Sequence, residues 1–147
     1  MHALKYDGRR SVAAGLGALM RVDGADVLAD AHALVPVPLH PARLRSRGFN
    51  QAEDLAHHLG VPVVRALRRT RHTDAQANLT ARDRVRNVSG AFAATRAAAA
   101  IRGATVVLVD DVRTTGATLD ACALTLRECG VRGVRVLTAA RVAPSSL

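Results

Sequence analysis

The sequence contains no tryptophan, one tyrosine and two phenylalanines. A core with so few rings has to be packed from Val, Leu and Ala. Bases of single-stranded nucleic acid would find few platforms on which to stack. Cysteine is scarce too: Cys122 and Cys129 lie seven positions apart in one expected helix. They share a face but stand about 10 Å apart along the axis, beyond the roughly 7 Å between Cα atoms that a disulfide tolerates. With no CxxC pair, a structural zinc site has no support. No run of about 18 apolar residues occurs, so no membrane span is expected. The first residues, MHALKYDGRRSV, lack the apolar middle of a secretory signal, which makes the cytoplasm the default location.

Arginine, by contrast, is in excess. Lys5 is the only lysine among 21 basic residues, and the formal net charge is +9. Such a surplus points to an anionic partner: nucleic acid, a membrane surface or a phosphorylated small molecule. Genome composition also produces arginine-for-lysine usage with abundant alanine, so charge alone does not choose. The 147 residues suit one domain with a real core.

Hydrophobic spacing gives the elements. Residues 11–22 read as a helix weakened by Gly15 and Gly17. Residues 31–41 begin as an apolar strand and then meet Pro36, Pro38 and Pro41, where a sheet ladder should end. Residues 48–60 read as a helix with Asn50 as N-cap, Glu53 three residues on and Gly60 as stop. A short strand is expected over 61–67. Residues 68–88 are polar and arginine-rich; the second half suits a short helix capped by Thr80, and the first half shows no periodicity and reads as a mobile loop. A strand is expected over 90–95, and a short helix or linker after it. The best strand is TVVLVDD, 105–111. A helix ending at Gly130 and a last strand over 134–142 follow. Alternating strands and helices indicate a single α/β domain with a mostly parallel sheet flanked by helices.

The segment VVLVDDVRTTGAT carries the chemistry. A continuously apolar strand is buried on both faces, and ligands of open parallel sheets bind beyond the carboxyl ends of strands. Asp110 and Asp111 therefore stand at the mouth of a site. The loop after them leads into a helix whose first N–H groups and dipole favour an anion. Thr114, Thr115 and Thr118 add hydroxyls, and Gly116 allows close backbone approach. An anion cradle next to two carboxylates makes sense for a ligand with a phosphate at one end and vicinal hydroxyls beside it, as in ribose 5-phosphate.

This segment resembles the 5-phosphoribosyl-1-pyrophosphate (PRPP) motif of type I phosphoribosyltransferases: strand, two acidic residues, two variable residues, then Thr-Thr-Gly-x-Thr. Arg113 stands where many type I enzymes carry an aliphatic residue. The resemblance extends to the ComF-like, competence-associated phosphoribosyltransferases through LKYDG (4–8), VPVPLHPARLRSRGFNQAEDLA (35–56), RTRHTDAQANLTARDRVRNVSGAF (69–92) and VVLVDDVRTTGATL (106–119). Many members of that family begin with a cysteine-rich, zinc-binding segment. This sequence opens at MHALKYDG, so either that segment is absent or Met1 is not the native start.

The resemblance implies a type I phosphoribosyltransferase fold with a flexible hood loop, and Mg²⁺-assisted transfer of the phosphoribosyl group to a nitrogen nucleophile with release of pyrophosphate. Asp110 and Asp111 would bind the ribose hydroxyls, directly or through metal-bound water. Arg113, Thr114, Thr115, Gly116, Ala117 and Thr118 would hold the 5-phosphate. The loop after the first strand would hold pyrophosphate, with Pro38, Leu39 and His40 shaping it and Arg43 or Arg47 neutralising charge. Gln76, Arg82 and Arg86 would act from the hood, residues 71–87. The magnesium would be held mainly by substrate and water, so no all-protein cage is expected. A homodimer is common in this superfamily.

Other nucleotide folds fail on order or spacing. A receiver domain needs a further Asp and a Lys downstream of the acidic pair, no GxxxxGK is present, and GLGALM lacks the last glycine of a dinucleotide fingerprint. The alternative that survives is a module that keeps PRPP binding without catalysis, as a sensor or in association with DNA.

Overall fold

The computed structural model describes residues 2–71 and 80–142; the side chains of residues 2–7, 81, 84, 85 and 87 are outside that description. Helix α1 spans His2–Asp23 and α2 spans Ala25–Leu28. Strand β1 (Ala33–Pro36) leads to α3 (Pro41–Arg47) and α4 (Gln51–Ala56). Strand β2 (Leu67–Arg69), helix α5 (Ala81–Val88) and strand β3 (Phe92–Ala94) come next, followed by a 3₁₀ turn over Arg96–Ile101. Strand β4 (Thr105–Arg113), helix α6 (Ala117–Glu128) and strand β5 (Gly133–Arg141) come last among the described residues.

The main sheet is parallel, in the order β1-β4-β5. Val63 adds a parallel bridge to Leu34 at its edge, and β2 and β3 form a separate antiparallel ribbon. The central strand β4 explains why the core has two halves. Val106 and Leu108 point to one face, where they meet Cys122 and Leu126 of α6 and Phe92 of β3. Val107 and Val109 point to the other, against Leu55 and Ala56 of α4 and Met20 of α1. All four β4 side chains are fully buried, and each contributes about 1.5–3 kcal/mol of transfer free energy. Helices on both faces of a parallel sheet are the α/β architecture expected from the alternation of elements.

Several elements depart from the expected boundaries. Helix α1 is longer than residues 11–22, and Gly17 is a point of contact in it: a Cβ there would come within 2.5 Å of His58 Cβ. Glycine lets α1 lie close on the end of α4. Helix α4 stops at Ala56 rather than running to Gly60, because His58 N–H donates to Leu55 O and Leu59 N–H to Ala56 O, a 3₁₀-type tightening. The strand expected over 61–67 is not continuous. Leu34 and the 62–64 segment exchange two backbone bonds, but Ala66 N–H then turns back onto Val64 O at 2.9 Å and ends the pairing. Helix α3 arises where only a proline-broken loop was expected. His40 Nδ1 accepts from Ala42 N–H at 3.2 Å, Pro41 opens the first turn, and Gly48 closes the helix at φ +81°. Thr80 caps α5 as expected, accepting from Asp83 N–H at 3.2 Å. Among the described residues, no helix is long and apolar enough to cross a membrane.

Candidate functional site

Pairing between β1 and β4 ends at Pro36 and Val109, whereas β4 continues beside β5 to Arg113 and Arg141. Asp110 and Asp111 therefore sit where β4 has outrun β1. The chain after β1 turns away there and is held by Asn50, whose Nδ2 donates to Val37 O at 3.0 Å while its Oδ1 accepts from Ala52 N–H at 3.1 Å. One asparagine thus caps α4 and anchors the loop.

The cleft so formed has a volume of about 250 Å³. Asp110, Asp111 and Thr118 line it together with Pro38, Leu39, Arg43, Arg47, Asn50, Gln51 and Arg69. Arg47 Nη1 donates to Gln51 Oε1 at 3.0 Å, which steadies it on the cleft wall. Next to the cleft a small recess of about 40 Å³ is bounded by Asp110, Arg113, Thr114, Gly116 and Thr118. Gly116 caps α6 at φ +84°, a conformation that penalises any side chain. The Arg113 guanidinium folds over this glycine, 3.3 Å from where a Cβ would stand. Thr115 Oγ1 accepts from Ala117 N–H at 3.4 Å, closing the turn into the helix.

The electrostatics of the acidic pair are uneven. Asp111 N–H donates to Asp110 Oδ1, and Val112 N–H donates to Asp111 Oδ1, both at 2.9 Å. Burial, together with a hydrogen bond from the Asp111 side chain, pushes the Asp110 carboxyl up to about 7. Burial and the neighbouring Arg43 lower Arg69 from its usual value; a guanidinium starts so high that it stays cationic. Beneath them the Cys122 thiol is pushed up, by burial first and then by Asp110. It is a packed, inert thiol, as expected for both cysteines, which are free.

The structure brings Pro38, Leu39, Arg43, Arg47, Asp110, Asp111 and Thr118 to one cleft and Arg113, Thr114 and Gly116 to its recess. Ala117 is buried at the start of α6 and faces neither. His40 lines neither space either; its ring caps α3, a structural part that shapes the loop from below. Arg82 and Arg86 are exposed on α5 and line neither space, and Gln76 lies outside the described residues. Arg69, Asn50 and Gln51 line the cleft without being expected there from the sequence. Arg69 has no local signal, since only the β2–β3 ribbon carries it to the cleft. Asn50 announced its cap but not its second bond.

A family model described as the phosphoribosyl transferase domain matches residues 44–145. The chain belongs to the phosphoribosyltransferase family. Curated relatives bear out its ComF-like character. Competence protein F of Haemophilus influenzae is 38% identical over 114 residues, 74% of this chain and 50% of that protein. DNA utilization protein YhgH is 36% identical in Salmonella typhi and 34% in Escherichia coli K12, each over 146 residues, 92% of this chain and 63% of the relative. The chain thus spans between half and two thirds of the length of these relatives. A hypoxanthine phosphoribosyltransferase from Staphylococcus aureus shares the fold, with a TM-score of 0.50 over 95% of this chain and 75% of its own, at 12% identity.

Proposed function

We propose that this phosphoribosyltransferase-family chain binds PRPP in the cleft beyond β4 and transfers its phosphoribosyl group to a nitrogen nucleophile, releasing pyrophosphate. The observation that carries the reading is one of layout. Two carboxylates share a single cleft with Arg43, Arg47 and Arg69, next to a threonine- and glycine-lined recess. A ligand with an anion at each end and a diol in the middle satisfies all three regions.

Asp110 and Asp111 would accept hydrogen bonds from the ribose hydroxyls. The backbone and hydroxyls of 114–118 would hold the 5-phosphate at the start of α6. Arg43, Arg47 and Arg69 would neutralise the pyrophosphate as it departs. The donor set also suits magnesium. Among the described residues no group of three or more His, Cys, Asp or Glu could hold a metal, but two hard carboxylates at a substrate cleft fit an ion that keeps most positions for substrate and water. Asp110 and Asp111 would hold it; when bound, it would offset charge on the pyrophosphate oxygens.

The test is calorimetry with PRPP and Mg²⁺, then a product screen by mass spectrometry over a panel of bases and amines. Binding in the wild type and a large loss in Asp110→Asn/Asp111→Asn are expected; equal affinity in the double variant would remove the assignment.

A second reading is favoured by the net charge of +9 and by relatives named for competence and DNA utilization. In it the chain keeps PRPP binding without catalysis and associates with DNA through phosphate contacts. Such binding should weaken steeply with salt. Filter binding at two salt concentrations tests it, and no retention of DNA at low salt would dispose of it.

A further inference from the structure

A second cavity, of about 540 Å³, opens on the other side of the loop that follows β1. Its size falls in the ordinary range of small-molecule sites, roughly 300–1,000 Å³. Pro38, Leu39, Asn50 and Arg69 line both spaces, but none of Asp110, Asp111 or Thr118 reaches this one. The two are neighbours across a wall, not parts of one site.

Leu39, Leu44 and Leu67 line it with apolar surface, and the Phe49 ring beside them lies under the Arg9 guanidinium, 3.7 Å from its centroid. Leu44 is the only large apolar side chain of α3, a helix with no buried residue, and it is 43% exposed. A helix held out from the core with its one leucine lining a cavity leaves apolar area that an occupant would remove from water. The rim is charged, and unevenly so. Arg9, Arg65, Arg68 and Arg69 face two carboxylates, Glu53 and Asp54. Both carboxylates are engaged: Arg65 Nε donates to Glu53 Oε1 at 2.6 Å, and Arg9 Nε lies 3.3 Å from Asp54 Oδ2. Four arginines against two carboxylates leave positive charge in surplus, and Arg68 is exposed on β2. Guanidinium groups suit phosphate and carboxylate oxygens and also stack on planar rings.

We propose that this cavity is a second ligand site, taking an aromatic anion of the mononucleotide class with its ring against Leu39, Leu44 and Leu67 and its phosphate at Arg68. A bare phosphate would leave the leucines unused, and a neutral base would leave the charge surplus unanswered. The proposal rests on the phosphoribosyl reading only in making this ligand a companion to the one in the cleft.

The test is calorimetric titration of the whole chain with AMP, GMP, CMP and UMP, with adenine and inorganic phosphate as controls. Wild type is compared with Arg68→Glu, Leu44→Asp and Asp110→Asn/Asp111→Asn. Arg68 and Leu44 are exposed, and circular dichroism checks that each variant is folded. At least one mononucleotide should bind the wild type. Its affinity should fall about tenfold or more in each cavity variant, as for loss of a charge-assisted contact or an apolar wall, and should survive in the acidic-pair variant. The controls should bind much more weakly. No mononucleotide binding would overturn the proposal. So would binding lost only in the acidic-pair variant, which would put the ligand in the cleft, or inorganic phosphate binding as well as the nucleotide. A parallel PRPP titration separates the two readings. PRPP bound without nucleotide sinks only the cavity, and nucleotide bound without PRPP sinks only the phosphoribosyl assignment.

Discussion

The backbone N–H of Asp111 donates to Asp110 Oδ1 at 2.9 Å, so the two acids are tied to each other before any ligand arrives. Burial nevertheless dominates and pushes the Asp110 carboxyl up from its usual 3.8 to about 7. A site that must accept hydroxyl protons or a cation needs the ionised form. Affinity for PRPP with Mg²⁺ should therefore rise between about pH 6 and about pH 8, and Asp110→Asn should flatten that dependence. Calorimetry across the range decides it.

The same shift bears on stability with the opposite sign. Between pH 3.8 and about 7 the folded protein holds a proton that the unfolded chain has released. Stability therefore falls as pH climbs through that window, and the full cost is present above it. Asp110→Asn should raise the melting temperature at about pH 8 and change it little at about pH 4. A thermal melt at both pH values checks this, and equal shifts would contradict the burial of charge at Asp110.

Gly116→Ala should cost about 1–2 kcal/mol of stability, because residue 116 stands at φ +84°. It should also displace the Arg113 guanidinium, which lies against that glycine. Thr115→Val keeps the φ +84° turn at Gly116 but removes the hydroxyl that accepts from Ala117 N–H, and should weaken PRPP binding by about 1–3 kcal/mol with a smaller loss of stability than Gly116→Ala. Comparing denaturation and binding for the two variants separates a strained turn from a missing donor.

Arg69 is half-buried, with its guanidinium 5.4 Å from the centre of the Phe92 ring. Arg69→Ala should lower affinity for pyrophosphate and PRPP about tenfold or more and leave ribose 5-phosphate almost unaffected, with partial recovery in Arg69→Lys. Equal losses for all three ligands would mean that Arg69 supports the fold and does not touch the pyrophosphate end.

Asn50→Ala removes a cap and the bond to Val37 O in one step. A loss of about 1–3 kcal/mol is expected in urea denaturation, with Asn50→Asp recovering only the cap, since its carboxylate cannot donate to Val37 O. The aspartate variant should therefore remain less stable than wild type and bind PRPP more weakly.

How legible all this was depends on whether the signal is local. The strand at 105–113, the helix after Gly116 and the caps at Asn50 and Thr80 are written in neighbouring residues, and the acidic pair could be placed at a strand's mouth from them alone. Helix α3 was equally local, with proline at its start and glycine past its end, but three prolines in six residues masked it. The strand at 61–67 failed because apolar content does not reveal a turn at Ala66. Arg69 could not be found at all, since an arginine beside two others has no distinguishing neighbour until a ribbon folds it against a distant strand.

Pro36 is where β1 leaves the sheet, while β4 and β5 run on together for four more positions. Had the first strand continued, its backbone would occupy the lane, roughly 4.8 Å wide, beside the acidic residues. The hollow in this protein is thus made by subtraction: an early exit by one chain segment, whose last bond to β4 is Val37 N–H to Val109 O at 2.9 Å. Any change that lets residues 37–40 stay in register would fill the hollow with polypeptide and close it without altering a single side chain that lines the acidic wall.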